Sequence, residues 1–145
     1  MRERFSTSMG EVKLKIRLTN AIDEGMARRK QLDPTKIRSC EVTAMVDTGA
    51  VMSVIPPEVM DQLGVVATGN RVAEYADGRK DRVTVTEPIV FNVLGRRTPE
   101  ETLVLGDEVL IGQTVLEKLD LLVDCANRQL IPNPAHPDQA VTKVK

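Results

Sequence analysis

Cys40-Glu41-Val42-Thr43-Ala44-Met45-Val46-Asp47-Thr48-Gly49-Ala50 is the stretch on which the reading of the fold turns. Apolar residues at 40, 42, 44 and 46 give the period of two expected of a strand with one buried face. That strand ends on an ionisable side chain, and a turn glycine follows two residues later. Burying an unpaired carboxylate is costly. A lone carboxylate delivered from an apolar strand into a glycine turn therefore points to chemistry rather than packing. The tripeptide Asp47-Thr48-Gly49 is short enough to arise by chance, so the flanking pattern has to carry the weight.

A second, parallel pattern supplies it. After Ala50 come Val51-Met52-Ser53-Val54-Ile55 and then Pro56-Pro57-Glu58-Val59-Met60-Asp61-Gln62-Leu63-Gly64. This predicts a short helix with proline in its first turn, Val59 and Leu63 on one face and Gly64 as its stop. Further on, Leu103-Val104-Leu105 passes through Gly106-Asp107 to Val109-Leu110-Ile111-Gly112. A helix is expected next, with Thr114 as N-cap, Glu117 completing a capping box, and Leu116 and Leu119 facing inward. Both halves thus read as apolar strand, glycine turn and short helix. Leu121 to Cys125 and Gln129 to Pro132 read as two closing strands.

This order of landmarks resembles the retropepsin-like (clan AA) aspartic peptidases, specifically the small bacterial and archaeal single-domain relatives of retroviral proteases. The resemblance covers about residues 10 to 133. It rests on Val46-Asp47-Thr48-Gly49-Ala50, on Tyr75-Ala76-Asp77-Gly78, and on Leu110-Ile111-Gly112 before the last helix. It implies a mainly β fold, a retropepsin-like closed β-barrel with one or two short α-helices. Residues 1–9 are expected to be a disordered extension, 10–133 the peptidase domain and 134–145 a flexible tail. The resemblance also implies an aspartic endopeptidase with Asp47 catalytic and Thr48, Gly49 and Ala50 supporting the loop. Tyr75, Ala76, Asp77 and Gly78 would form the flap over the substrate, and Ile111 and Gly112 the loop of the second half. No metal and no cofactor are implied.

Carboxylate-driven peptide hydrolysis needs two carboxyl groups around one water, one taking its proton and the other donating to the scissile carbonyl. The chain has one Asp-Thr-Gly. The simplest completion is a twofold homodimer in which Asp47 meets its symmetry mate. By resemblance, Thr48 would brace the two loops across the axis. Two positions depart from the retroviral pattern: Val51 stands where those relatives usually carry an acidic or small polar residue, and Gln113 where they usually carry Arg. In those relatives the two form an ion pair, and here both members are replaced together. Ala50, where pepsin-type relatives usually carry Ser or Thr, brings no hydroxyl to the carboxylate.

Composition bounds the alternatives. The chain has 145 residues, enough for one domain with a real core, and 20 basic against 21 acidic residues. That balance gives no field favouring nucleic acid or an anionic membrane. No apolar run approaches a membrane span and no signal-peptide core is present near residue 1, so a cytoplasmic protein with a peptide or protein substrate is expected. Two cysteines and one histidine leave no zinc spacing and no histidine triad. Cys40 and Cys125 read as free thiols, and His136 as a solvent-exposed tail residue. With two Phe, one Tyr and no Trp, the core must be aliphatic and no aromatic stacking platform exists.

Between these landmarks, Val12 to Leu18 alternates as a strand with a basic outer face, and residues 19–36 form an insertion. Gly25 and weak periodicity allow only a helical turn within Ala21 to Leu32. Arg71 to Leu94 is expected as one long hairpin turning at Asp77-Gly78, with Val83, Val85, Ile89, Phe91 and Val93 on one face and Pro88 interrupting it. The alternative to a peptidase is a catalytically silent interaction module on the same fold. An actin-like phosphotransferase would need a far longer chain. A magnesium hydrolase using Asp47 with Glu41, Glu58 or Asp77 lacks paired acidic spacing.

Overall fold

The computed structural model describes residues 11–145. The expected extension at residues 1 to 9 lies outside them. The first strand, β1 (Lys13–Asn20), turns Ile16 and Leu18 inward and Lys13, Lys15 and Arg17 outward. It pairs antiparallel with β2 (Ser39–Val46), whose Cys40, Val42, Ala44 and Val46 pack on the core as their alternation predicts. Then follow β3 (Val54–Ile55), the helix α2 (Pro57–Leu63), and the hairpin of β4 (Ala67–Glu74) and β5 (Lys80–Thr86). The chain continues through β6 (Ile89–Val93), β7 (Arg96–Glu100), β8 (Leu103–Val104) and β9 (Val109–Ile111) into helix α3 (Gln113–Leu119).

These nine strands make one sheet in the order β4-β5-β8-β3-β9-β2-β1-β6-β7. The expected barrel is thus an open half-barrel, ending on β4 and β7 among the described residues. The last two strands, β10 (Leu121–Asp124) and β11 (Gln129–Pro132), form a separate antiparallel pair. The core is aliphatic around one aromatic ring: Leu18, Ile55, Leu63, Ile89, Phe91, Ile111 and Leu119 are all buried.

Three expectations change. The hairpin ends at Thr86 rather than Leu94, because the chain bends at Glu87-Pro88 and β6 leaves to pair with β1 and β7. A proline has no N–H for a ladder, which suits it to that break. His136 is not free in solvent: its Nδ1 lies 2.6 Å from Asp120 Oδ2. Asp120 also accepts from Asn133 Nδ2 and from the Val141 backbone N–H, while Arg96 donates to the carbonyls of Leu119, Asp120 and His136. These donors, led by the Asn133 amide, hold the Asp120 carboxyl below the usual carboxylate range.

The third concerns the insertion, which contains a full helix, α1 (Ala21–Arg28). Helices α1, α2 and α3 therefore exceed the one or two expected. Its organiser is Asn20, a buried polar residue that a hydropathy reading passes over. Asn20 Oδ1 caps α1 by accepting from Asp23 N–H at 3.0 Å, and Asn20 Nδ2 donates to Leu63 O at 2.9 Å. Asp23, itself buried, accepts from Arg38 Nε at 2.8 Å, Arg38 Nη2 at 3.0 Å and Arg38 N–H at 3.0 Å. The Arg38 guanidinium lies over Gly64, where an added Cβ would come within 1.9 Å of it and where φ is +65°. Gly64 thus satisfies both a left-handed helix stop and a close approach.

The Arg38 hydrogen bonds hold the Asp23 carboxyl below its ordinary range against the opposing effect of burial. A depressed carboxylate contributes stability that is present above its unfolded pKa and disappears as pH falls through the folded one. Asp23→Asn should therefore cost about 2 kcal/mol at neutral pH. Urea unfolding at pH 7 and again well below pH 4 checks this, and the difference between variant and wild type should shrink in acid.

Candidate active site

Strand β9 lies between β2 and β3, parallel to the first and antiparallel to the second. A chain leaving β2 must therefore cross the end of β9 to begin β3, and the crossing is made by residues 47–53. Asp47 stands at the start of that crossing, half-buried, with its N–H donating to Ile111 O at 2.9 Å. Its Oδ1 accepts from Gly49 N–H at 3.0 Å, and Ala50 N–H returns to Asp47 O at 3.2 Å. The carboxylate is thereby oriented by its own turn. A Cβ on Gly49 would sit 3.4 Å from Asp47 Oδ1, so glycine keeps the space beside that oxygen clear. Thr48 and Gly49 face solvent.

The other half of the chain grips this loop. Gln113 N–H donates to Ala50 O at 2.7 Å and Thr114 N–H to Val51 O at 3.1 Å. Thr114 Oγ1 donates to Val51 O at 3.1 Å as well. The first turn of α3 is thus satisfied by loop carbonyls from the opposite half. This corrects the expected capping box: the N-cap is Gly112, without a side-chain cap, and Thr114 lies inside the helix. Orphan N–H groups at a helix start need acceptors, and here the Asp47 loop provides them.

At the tightest point, a Cβ on Gly112 would come within 2.6 Å of the Met52 carbonyl and 2.9 Å of Ser53 N. The backbone at Gly112 is extended (φ −86°, ψ 174°), so its requirement is space and not conformation. The buried Ser53 accepts the Gly112 N–H at 2.9 Å through Oγ. Ser53 and Thr114 are the site residues that sequence reasoning missed. A lone hydroxyl between Met52 and Val54 was the available signal.

The structure brings Asp47, Thr48, Gly49 and Ala50 together with Ile111 and Gly112. Tyr75, Ala76, Asp77 and Gly78 form a separate group at the tip of the β4–β5 hairpin. That tip is braced by Tyr75 N–H to Arg79 O at 2.8 Å, Gly78 N–H to Tyr75 O at 2.9 Å and Arg79 N–H to Asp77 Oδ1 at 2.9 Å. The Arg79 guanidinium lies 4.4 Å above the Tyr75 ring, within cation–π range. Val51 and Gln113, the two departing positions, sit in adjacent hydrogen-bonded segments; Gln113 Nε2 donates to Glu117 Oε2 at 3.3 Å. Among the described residues, no three His, Cys, Asp or Glu side chains gather as a metal-holding group. No helix among them is long and apolar enough to cross a membrane.

A family model described as aspartyl protease matches residues 34–114, more than half of the chain, spanning Asp47, the hairpin and Gly112. The chain belongs to the aspartyl protease family. Among solved structures, this family member is similar to the retroviral protease-like domain of Ddi1 from Leishmania major. The identity is 19% and the TM-score 0.52, with 85% of this chain and 90% of that one covered. That likeness establishes a retropepsin-like fold. It also matches EIAV protease, solved with an inhibitor, at 20% identity and a TM-score of 0.44, covering 53% of this chain and 75% of that one. A foamy viral protease-reverse transcriptase matches at 19% identity and a TM-score of 0.47, over 72% of this chain but 11% of the viral one. Comparison with curated, functionally described proteins yields no match.

If the two halves are locked where Gly112 meets Met52 and Ser53, single methyl groups there have large consequences. Gly112→Ala should lower stability by about 2–3 kcal/mol through overpacking against backbone that cannot move aside. Ser53→Ala should cost about 1–2 kcal/mol by stranding the Gly112 N–H. Urea midpoints of both variants check this.

Proposed function

We propose that the protein is an aspartic endopeptidase that works as a homodimer, each chain contributing one Asp47. The observation that carries this reading is the mounting of Asp47: a half-buried carboxylate held by Ile111 O and Gly49 N–H in a loop fastened to the opposite half of the chain. Such rigidity is what a reacting group needs, because misplacement by about 1 Å can cost two orders of magnitude in rate. Membership of the aspartyl protease family supports the same chemistry.

In the proposed mechanism the two Asp47 carboxyl groups share one proton across the twofold axis. The ionised group takes a proton from the water lying between them, and the protonated group donates to the scissile carbonyl oxygen. The water oxygen attacks the carbonyl carbon and gives a tetrahedral diol. Collapse of the diol breaks the C–N bond, with a proton passing from a carboxyl group to the leaving amine, and the dyad again holds one proton. Thr48 would reach the partner's loop, and Tyr75 to Gly78 would close over the peptide. A silent interaction module on this fold remains the competing function, since fold alone does not dictate activity.

Two measurements separate them. A peptidase built this way loses specific activity on dilution as the dimer dissociates, and Asp47→Asn lowers turnover by several orders of magnitude while leaving the dimer intact. A fully active monomer in light scattering, or normal cleavage by Asp47→Asn, would contradict the mechanism.

The shared proton also predicts a bell-shaped dependence of rate on pH, centred at mildly acidic values. Ala50 offers the dyad no hydroxyl donor. A serine hydroxyl there would favour the charged carboxylate, so Ala50→Ser should move the whole bell towards acid. An unshifted or alkaline-shifted profile would show that position 50 does not tune the pair.

A further inference from the structure

Val51 is 69% exposed, the most exposed large apolar side chain before the C-terminal tail among the described residues. It does not stand on a loose loop. Its own carbonyl receives two hydrogen bonds from Thr114, the preceding carbonyl receives one from Gln113, and the loop is tied again at Ser53. A β-branched side chain has restricted χ1 freedom, so this loop presents a stiff apolar knob four residues from Asp47.

The polar groups around it are already committed. Gln113 Nε2 is engaged by Glu117, and Glu100 accepts from Thr114 Oγ1 and pairs with Lys118. A charged residue of a bound peptide would therefore meet Val51 with neighbouring side chains already paired among themselves. An apolar residue would gain from burial on both sides.

We propose that Val51 is the specificity-determining residue of the Asp47 site, selecting peptides that carry an aliphatic residue within a few positions of the scissile bond and rejecting acidic or basic ones there. The inference rests on the peptidase reading. The substrate class it implies is the apolar stretch of an unfolded or extended chain, bound with one aliphatic side chain against Val51. Exposure of the knob also makes its replacement compatible with folding, since little packing is lost.

The test is cleavage profiling of a peptide library by the full chain as wild type, Val51→Ala and Val51→Asp, with urea midpoints and light scattering on each. Wild type should show an aliphatic preference at one position near the cleaved bond. Val51→Ala should weaken kcat/KM for the preferred peptides roughly tenfold, mainly through KM. Val51→Asp should invert the preference at that position towards Lys or Arg and leave the other positions as they were. An active Val51→Asp enzyme with the wild-type profile would overturn the inference alone. So would a Val51→Asp chain that keeps the profile but loses the dimer, which would give Val51 to a contact between copies. A wild-type dimer that cleaves no library peptide would instead overturn the peptidase reading, and the inference with it.

Discussion

The rest of the structure depends on one close crossing: the Gly112 backbone passing against Met52 and Ser53 with no room for a methyl group. Strand β9 can lie between β2 and β3 only if the chain from β2 clears its end, and that clearance is taken up by the 47–53 loop. Because the approach is backbone to backbone, neither partner can yield by rotating a side chain. The hydrogen bonds that follow, from Gly112, Gln113 and Thr114 to Ser53, Ala50 and Val51, are consequences of the distance. They convert the start of α3 into a clamp on the Asp47 turn, and they join two sequence-distant halves at the place where the carboxylate emerges.

Two polar knots stand behind this clamp. At one, Asn20, Asp23 and Arg38 fasten the 19–38 segment to the end of α2. At the other, Arg96 donates to the last carbonyls of α3, and Asp120 gathers Asn133, His136 and the Val141 N–H. A cation at a helix C-terminus is favourably placed with respect to the helix dipole. Helix α3 is therefore held at both ends, by the Asp47 loop at its start and by Arg96 at its finish. The two knots share a design in which a short polar side chain bonds several backbone groups at once, so that burial leaves few of them unsatisfied.

Much of this was legible in the sequence, for physical reasons that can be named. Strands β1 and β2 follow from strict alternation of apolar residues. Helix α2 follows from a proline start and a glycine stop, and the hairpin tip from Asp77-Gly78. What local pattern could not supply was pairing at a distance. Thr114 and Glu117 have capping-box spacing, yet the acceptors for that helix start come from residues more than sixty positions earlier in the chain. Helix α1 was under-read because its stability lies in Asn20 and Arg38, outside its own residues, and Gly25 argued against it locally. Ser53 looked like a polar interruption in an apolar run, and only the presence of Gly112 beside it gives its hydroxyl a purpose. His136 was assigned to solvent because its partner, Asp120, lies at the end of α3.

For the site, the carboxylate and its glycine were readable because the chemistry demands those residue types in that order. The surroundings that make Asp47 rigid were not, since they belong to the second half. The proposed mechanism asks that this rigidity be shared by two copies, with a single carboxylate in each chain completing a pair on a twofold axis. The most direct measurement is a crystal structure of the assembled protein. The account predicts a twofold dimer in which the two Asp47 carboxylates lie within hydrogen-bonding distance of each other. An assembly that leaves the two Asp47 side chains apart, or a monomer whose Asp47 faces open solvent at concentrations where peptides are cleaved, would contradict it.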